Sequence, residues 1–250
     1  MEGVAFWILA SLAAFCLGMS KGGVPVVSAM SVPLLALVIS PVVAAGMLLP
    51  VYIAADVFGV YAYRKHCHLR IFQIFAIAMP VGVLIGYLTS SSVPDAVVTL
   101  VIGVTCFCFA LYNLLRPTLL QEPRDPPVGS GLFWGTITGF TSFVSHAGAP
   151  PYQVYVLPLG LDKMTFAGTM TVAFAYINLV KLIPYYALGQ ITLANLQIAV
   201  WLVVPAVFGV FIGVKLVRHV PQKLFFQIVA WALFLISLRL IWSGTTGVLA

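Results

Sequence analysis

Val81-Gly82-Val83-Leu84-Ile85-Gly86 and Phe208-Gly209-Val210-Phe211-Ile212-Gly213 are one phrase written twice, 127 residues apart. Working outward, Pro94 finds its counterpart in Pro221 at the same offset. Gly46 and Asp56 find theirs in Gly168 and Asn178, at an offset of 122. The chain therefore reads as two related halves. Its basic clusters fall in different loops of the two copies, which suggests that the halves face opposite ways.

The 250 residues are 62% hydrophobic and 7% charged, where a soluble domain carries about 25% charged residues. That is too little polar surface to cover a soluble globule, so the chain reads as an integral membrane protein. Its apolar stretches are too long and too many for a cleaved leader followed by a soluble domain. No Lys or Arg precedes the first one, so the positive region of a signal peptide is not expected. The net charge of +6 resides mostly in a few short loops. It reads as a topology signal rather than as a nucleic-acid footprint. Cys16, Cys67, Cys106 and Cys108 show no metal-ligand spacing and predict no disulfide framework.

Six apolar stretches, near 41–63, 71–89, 96–115, 164–188, 194–217 and 222–242, approach the roughly 20 residues a membrane helix needs. Residues 4–38 and 131–160 are apolar too, but broken by Gly, Pro and Ser near Ser20-Lys21-Gly22-Gly23-Val24-Pro25 and Ser145-His146-Ala147-Gly148-Ala149-Pro150-Pro151. Proline removes a backbone donor and glycine weakens a helix, so each region predicts two short helices with a bend between them. Each bend is either a surface turn or the tip of a hairpin inside the protein. Lys21 and His146 at the tips favour the second reading, because a charge on a lipid-facing turn is costly.

The loop charges set the expected orientation. Nine of the twelve bases (Arg64, Lys65, Arg70, Arg116, Arg124, Lys163, Lys215, Arg218 and Lys223) fall on one side, taken as cytoplasmic. The loops Ser90 to Asp95 and Gly189 to Thr192 contain no Lys or Arg and are expected outside. This works only if 41–63 runs inward while 164–188 runs outward. The predicted fold is all-α: two inverted-topology repeats, each a broken short-helix hairpin followed by three transmembrane helices. Residues 1–118 form the first repeat, 119–130 a proline-rich cytoplasmic linker with Glu122, Pro123 and Arg124, and 131–250 the second repeat. Both termini, including Glu2, are expected outside. Inverted repeats with broken helices are typical of secondary transporters.

Lys21, Lys181 and Arg239 do not fit the loop pattern. Arg239 lies near the end of the last stretch, where it can snorkel to the interface. Lys21 and Lys181, with Asp56, are the expensive residues. Ionisable groups at such positions pair with one another or mark a substrate or ion pathway. Asp56 and Lys181 are read either as a structural ion pair between the halves, or as an anion-binding lysine and a proton-accepting carboxylate. His146, with no second ligand nearby, does not predict a metal site. It suits a hydrogen-bond donor at its tip.

The tips suggest the sign of the ligand. A half-helix N-terminus offers N–H groups and a positive dipole end. Small residues let a ligand approach the backbone. Proline near a helix start forfeits no needed donor. The candidate substrate-binding residues are Ser20, Lys21, Gly22, Gly23, Ser145, His146, Gly148, Gln153, Asn178 and Lys181, and Asp56 is the coupling or proton candidate. This set fits a small oxyanion better than a metal cation.

Gly18-Met19-Ser20-Lys21-Gly22-Gly23 followed by Pro33-Leu34-Leu35, and Gly139 to Gly148 followed by Leu157-Pro158-Leu159 and Ala167-Gly168-Thr169, resemble the two repeats of the TauE/SafE family of sulfite exporters. The resemblance covers essentially the whole chain. It implies a multi-span permease of a bacterial inner membrane that moves sulfite, sulfonates or related organic anions, often outward. The second tip departs from the family's glycine-rich pattern at Ser145-His146-Ala147. The expected partners are therefore a small sulfur-containing anion and the lipid bilayer. No nucleic acid is expected, and a homo-oligomer stays open.

No GxxxxGK[ST] phosphate loop is present, so ATP is not the expected direct energy source and no cofactor is expected. Export of an anion under an inside-negative potential gains about 2.3 kcal/mol per charge per 100 mV. A channel or uniporter is therefore the alternative to a coupled exporter. An intramembrane enzyme is disfavoured. Ser145 beside His146 does not by itself supply triad geometry.

Overall fold

Backbone polar groups in a bilayer must be satisfied within their own segment, which leaves helices as the way for this chain to span. The computed structural model describes residues 3–35, 37–39, 41–89, 95–115 and 124–249, and no strand occurs among them. In order they form α1 (Val4–Lys21), a 3-10 turn (Pro25–Met30), α2 (Ser31–Leu35), α3 (Pro41–Tyr63), α4 (Leu69–Thr89), α5 (Asp95–Leu115) and α6 (Val128–Ser145). Then follow α7 (Ala149–Val156), a 3-10 turn (Leu157–Leu159), α8 (Lys163–Ala187), α9 (Leu193–His219) and α10 (Gln222–Leu249). Among the described residues, six helices are long and apolar enough to cross a membrane: α1, α3, α4, α8, α9 and α10. The protein is an all-α membrane protein. α5 occupies the expected 96–115 stretch with 21 residues. Glu2, Pro94 with the rest of 90–93, Arg116, and linker residues 119–123 lie outside the described residues.

Both predicted breaks are present, but the arms before them are longer than expected. α1 and α6 each have 18 residues, about 27 Å at 1.5 Å per residue. Neither contains a proline, so nothing stops it before the tip. Only the second arms are short: α2 has five residues and α7 has eight. α1 ends where Gly22 caps it and Gly23 turns to φ 97°, a conformation glycine adopts without penalty. α6 ends at His146, which takes the left-handed conformation at φ 53° while the N–H of the next residue, Ala147, bonds the Thr141 carbonyl.

The chain divides into two compact units, and they are not the repeats. One comprises Met1–Ala76 and Met164–His219, the other Ile77–Lys163 and Val220–Ala250, so each draws helices from both halves. In the first unit α1 lies against α9. A Cβ on Gly18 would overlap the Ala206 carbonyl, and one on Gly209 would overlap the Phe15 carbonyl. In the second unit α6 lies against α4 in the same fashion. A Cβ on Gly82 would overlap the Thr136 carbonyl, and one on Gly139 that of Met79. The twice-written glycine phrase therefore does one job twice: it admits the first helix of the other half to backbone contact. Close approach of this kind is the usual basis of helix packing in lipid.

Equivalent helices also pair with each other, and they run antiparallel. In the first unit Gly46 near the start of α3 abuts the Gln190 carbonyl beyond α8, while Gly168 near the start of α8 abuts the His66 carbonyl beyond α3. In the second unit Gly103 of α5 meets Ile241 of α10, and Gly244 of α10 meets Leu100 of α5.

Candidate functional site

The first unit assembles a buried polar cluster on the α3–α8 pair. On α3, Tyr52 and Asp56 are one turn apart. On α8, Phe174, Asn178 and Lys181 follow at i, i+4 and i+7, so each set shares a face. Lys21 arrives from the last turn of α1, where a cation complements the helix dipole. Lys21 and Asp56 are each 4% exposed, Asn178 2% and Lys181 0%.

Lys21 Nζ stands 2.7 Å from Asp56 Oδ1. The contact is a charge pair, since Oδ1 takes no well-directed hydrogen bond among the described residues. The other carboxylate oxygen, Oδ2, accepts a 2.7 Å hydrogen bond from Asn178 Nδ2. The Lys21 ammonium also lies 5.1 Å from the Tyr52 ring centroid and 5.7 Å from that of Phe174, within the range of cation–π attraction. Lys181 interacts electrostatically with both Asp56 and Lys21. The ion pair therefore joins Asp56 to Lys21. Lys21, brought in by α1, thus joins Asp56, which the sequence reading places with Lys181 alone, and Lys181 acts on the same carboxylate.

The tips themselves are poorer in free backbone donors than expected. The N–H groups of Gly22, Gly23 and Val24 bond back to the carbonyls of Gly18, Ser20 and Met19. Ser20 Oγ donates to the Leu17 carbonyl at 2.9 Å. Gly22 packs on Gly213, and Gly23 against Tyr63, whose hydroxyl donates to the Gly22 carbonyl at 2.6 Å. In the second unit Ala147 N–H bonds Thr141, and Pro150 and Pro151 have no N–H to offer. There His146 and Gly148 are buried, and Gln153 is buried with its Oε1 accepting no hydrogen bond among the described residues. Ser145 closes α6, and its side chain lies outside the described ones. Lys21, Asp56, Asn178 and Lys181 thus share one unit, while His146, Gly148 and Gln153 belong to the other.

Residues 7–240 match the family described as Sulfite exporter TauE/SafE. The chain belongs to the TauE/SafE family. Searches of the curated proteins and of the solved structures find no match. TauE/SafE membership implies a membrane transporter of the sulfite and sulfonate exporter type, in agreement with the six apolar helices.

Within this TauE/SafE chain, sequence reasoning missed Tyr52, Phe174 and the buried Tyr185. A signal for them was present. Tyr52 and Phe174 are 122 positions apart, as are Tyr63 and Tyr185, the same offset that relates Asp56 to Asn178. The Lys21 ammonium is thus held between two pairs of equivalent residues: two rings, and a carboxylate with an amide.

Proposed function

We propose that the protein is a secondary transporter that exports a small sulfur oxyanion, sulfite or an organosulfonate, by alternating access between two inverted repeats. Lys21 is the anion's principal partner, with Asn178 and Lys181 beside it and Asp56 as the proton-coupling group. The observation that carries this reading is the buried Lys21–Asp56–Asn178 cluster at the middle of an antiparallel pair of repeat-equivalent helices. Asp56 is ten residues from Gly46 and ten from His66, the two ends where α3 meets the α8 segment. At 1.5 Å per residue it lies about 15 Å from Gly46 and about 10 Å from the helix end at Tyr63, in the middle part of a hydrocarbon core about 30 Å thick. Substrate sites of inverted-repeat transporters lie at that depth.

The chemistry suits an oxyanion. A buried ammonium needs a counter-charge, and the flanking ring faces hold it without supplying one. Antiparallel pairing of α3 with α8, and of α5 with α10, supports the inverted arrangement. The ends of α3 and α9 bearing Arg64, Lys65 and Arg218 gather together: Phe58 and Phe211 are in ring contact at 6.2 Å and Tyr63 interacts with Arg218. We take this end as cytoplasmic, in an inner membrane with both termini outside. His146 and Gln153 of the second unit stay candidate substrate contacts.

The test is a thermal-shift screen of purified protein against sulfite, organosulfonates and carboxylates. Sulfite or a sulfonate is expected to raise the unfolding temperature of the wild type, and Lys21→Ala to abolish that rise. Equal protection of wild type and Lys21→Ala would overturn the assignment.

A further inference from the structure

The first unit holds an anion inside its own candidate anion site. Asp56 Oδ1 sits 2.7 Å from Lys21 Nζ, where an oxygen of a bound oxyanion would sit. Accepting Lys21 as the anion partner, we infer that the substrate must displace Asp56 from Lys21, and that Asp56 takes up a proton as it does so. Binding then couples one proton to one monoanion.

Charge balance at the buried site requires both events together. Breaking a buried ion pair by removing one partner is strongly unfavourable, because the remaining charge is left uncompensated. An incoming anion that captured Lys21 alone would strand a carboxylate with side-chain exposure of only 6%. A carboxylate that left on its own would strand the ammonium between the Tyr52 and Phe174 rings. Both penalties vanish when the anion replaces the carboxylate on Lys21 and a proton neutralises the carboxylate.

The geometry names the oxygen. Oδ2 is engaged by the Asn178 amide, and protonation there would set donor against donor. Oδ1 has no directed hydrogen bond among the described residues, so the proton goes to Oδ1. The new O–H then faces the Lys21 ammonium, again donor against donor, and the two separate. Asn178 keeps its bond to Oδ2 throughout and holds the carboxyl in place. Lys21 retains its three protons and the added proton comes from water. Ring faces next to Lys21 keep the ammonium near the site while its partner changes.

The charged groups acting on Asp56 from the packed helices are Lys21 of α1 and Lys181 of α8. Tyr52 lies one turn away on α3 itself; Cys16 of α1 acts on Tyr52, and Tyr52 acts on Tyr185 of α8. α9 brings Lys215 and Arg218, both exposed near its C-terminal end, and Arg218 acts on Tyr63.

The experiment is calorimetric binding of sulfite and of ethanesulfonate to the full chain in detergent, repeated in buffers of different ionisation enthalpy. Ethanesulfonate keeps its single charge across the working pH range, so any proton taken up belongs to the protein. Uptake of about one proton per ethanesulfonate, or per sulfite after correction for its own titration, is expected from linkage. Affinity should weaken about tenfold per pH unit where Asp56 is ionised in the free protein. An infrared difference spectrum should gain a protonated carboxyl band. Asp56→Asn should bind without proton uptake and with affinity independent of pH. Binding by wild type without proton uptake overturns the exchange while leaving the anion site standing. Binding of neither probe overturns the anion-site reading itself. The wild-type measurement requires no variant to fold.

Discussion

Asn178 donates its side-chain amide to Asp56 across 2.7 Å, and these two residues are the same position of the two halves, 122 residues apart. Tyr52 and Phe174, also equivalent, flank the same ammonium. Sequence-matched positions of the two halves thus meet at the centre of the α3–α8 pair, with a carboxylate facing an amide and a ring of tyrosine facing one of phenylalanine.

Breaking the pair from one side leaves a buried charge behind. Lys21→Met should destabilise the protein by about 3–5 kcal/mol, and Lys21→Met combined with Asp56→Asn should recover most of that loss without recovering sulfite protection. Thermal unfolding of the single and double variants in one detergent checks this. A double variant no more stable than Lys21→Met would show that the ion pair is not what holds these side chains.

Reversing the asymmetry should be tolerated better than removing it. Asn178→Asp alone faces one carboxylate with another and is expected to stabilise the protein only at low pH, where one of them is protonated. Adding Asp56→Asn restores an amide opposite a carboxylate, with donor and acceptor exchanged. The double swap should unfold at a higher temperature than either single variant at neutral pH. Additive losses would mean that the Asp56–Asn178 bond does not couple the helices.

Glycine contacts in the two units should be equally intolerant. Gly18→Ala meets the Ala206 carbonyl and Gly82→Ala meets the Thr136 carbonyl, in each case backbone that must shift. Each is expected to cost about 1–3 kcal/mol, read as a similar fall in unfolding temperature. A neutral effect at Gly82 with a large one at Gly18 would argue against equivalent roles.

The antiparallel pair sets Gln190 and Lys65 at opposite ends of α3 and α8, and the proposed orientation puts the Gln190 end outside. A cysteine at Gln190 is expected to react with a membrane-impermeant maleimide on intact cells, and one at Lys65 only after permeabilisation. Labelling of both from the same side would contradict the inverted arrangement.

Much of this architecture was legible in the chain. Repeat-equivalent glycines marked the close helix contacts, and Gly/Pro clusters marked both tips, because glycine and proline act locally and leave local traces. The lengths of α1 and α6 are obscured by the same clusters, because a Gly/Pro break ends a helix at the tip without shortening the proline-free turns before it. The partner of Asp56 was not legible. Lys181 shares the span of the matching Asn178, whereas Lys21 is brought in by packing of α1 that no local pattern encodes. Free backbone donors at the tips were overestimated, since capping bonds within the turn consume them at Gly22, Gly23 and Val24.

Efflux of radiolabelled sulfite from proteoliposomes, compared between wild type and Lys21→Ala at matched protein content, tests the central claim most directly. Rapid efflux through the wild type, reduced at least tenfold by Lys21→Ala at a loss of about 1.4 kcal/mol or more in transition-state stabilisation, is the predicted result. Equal efflux through both proteins would contradict it.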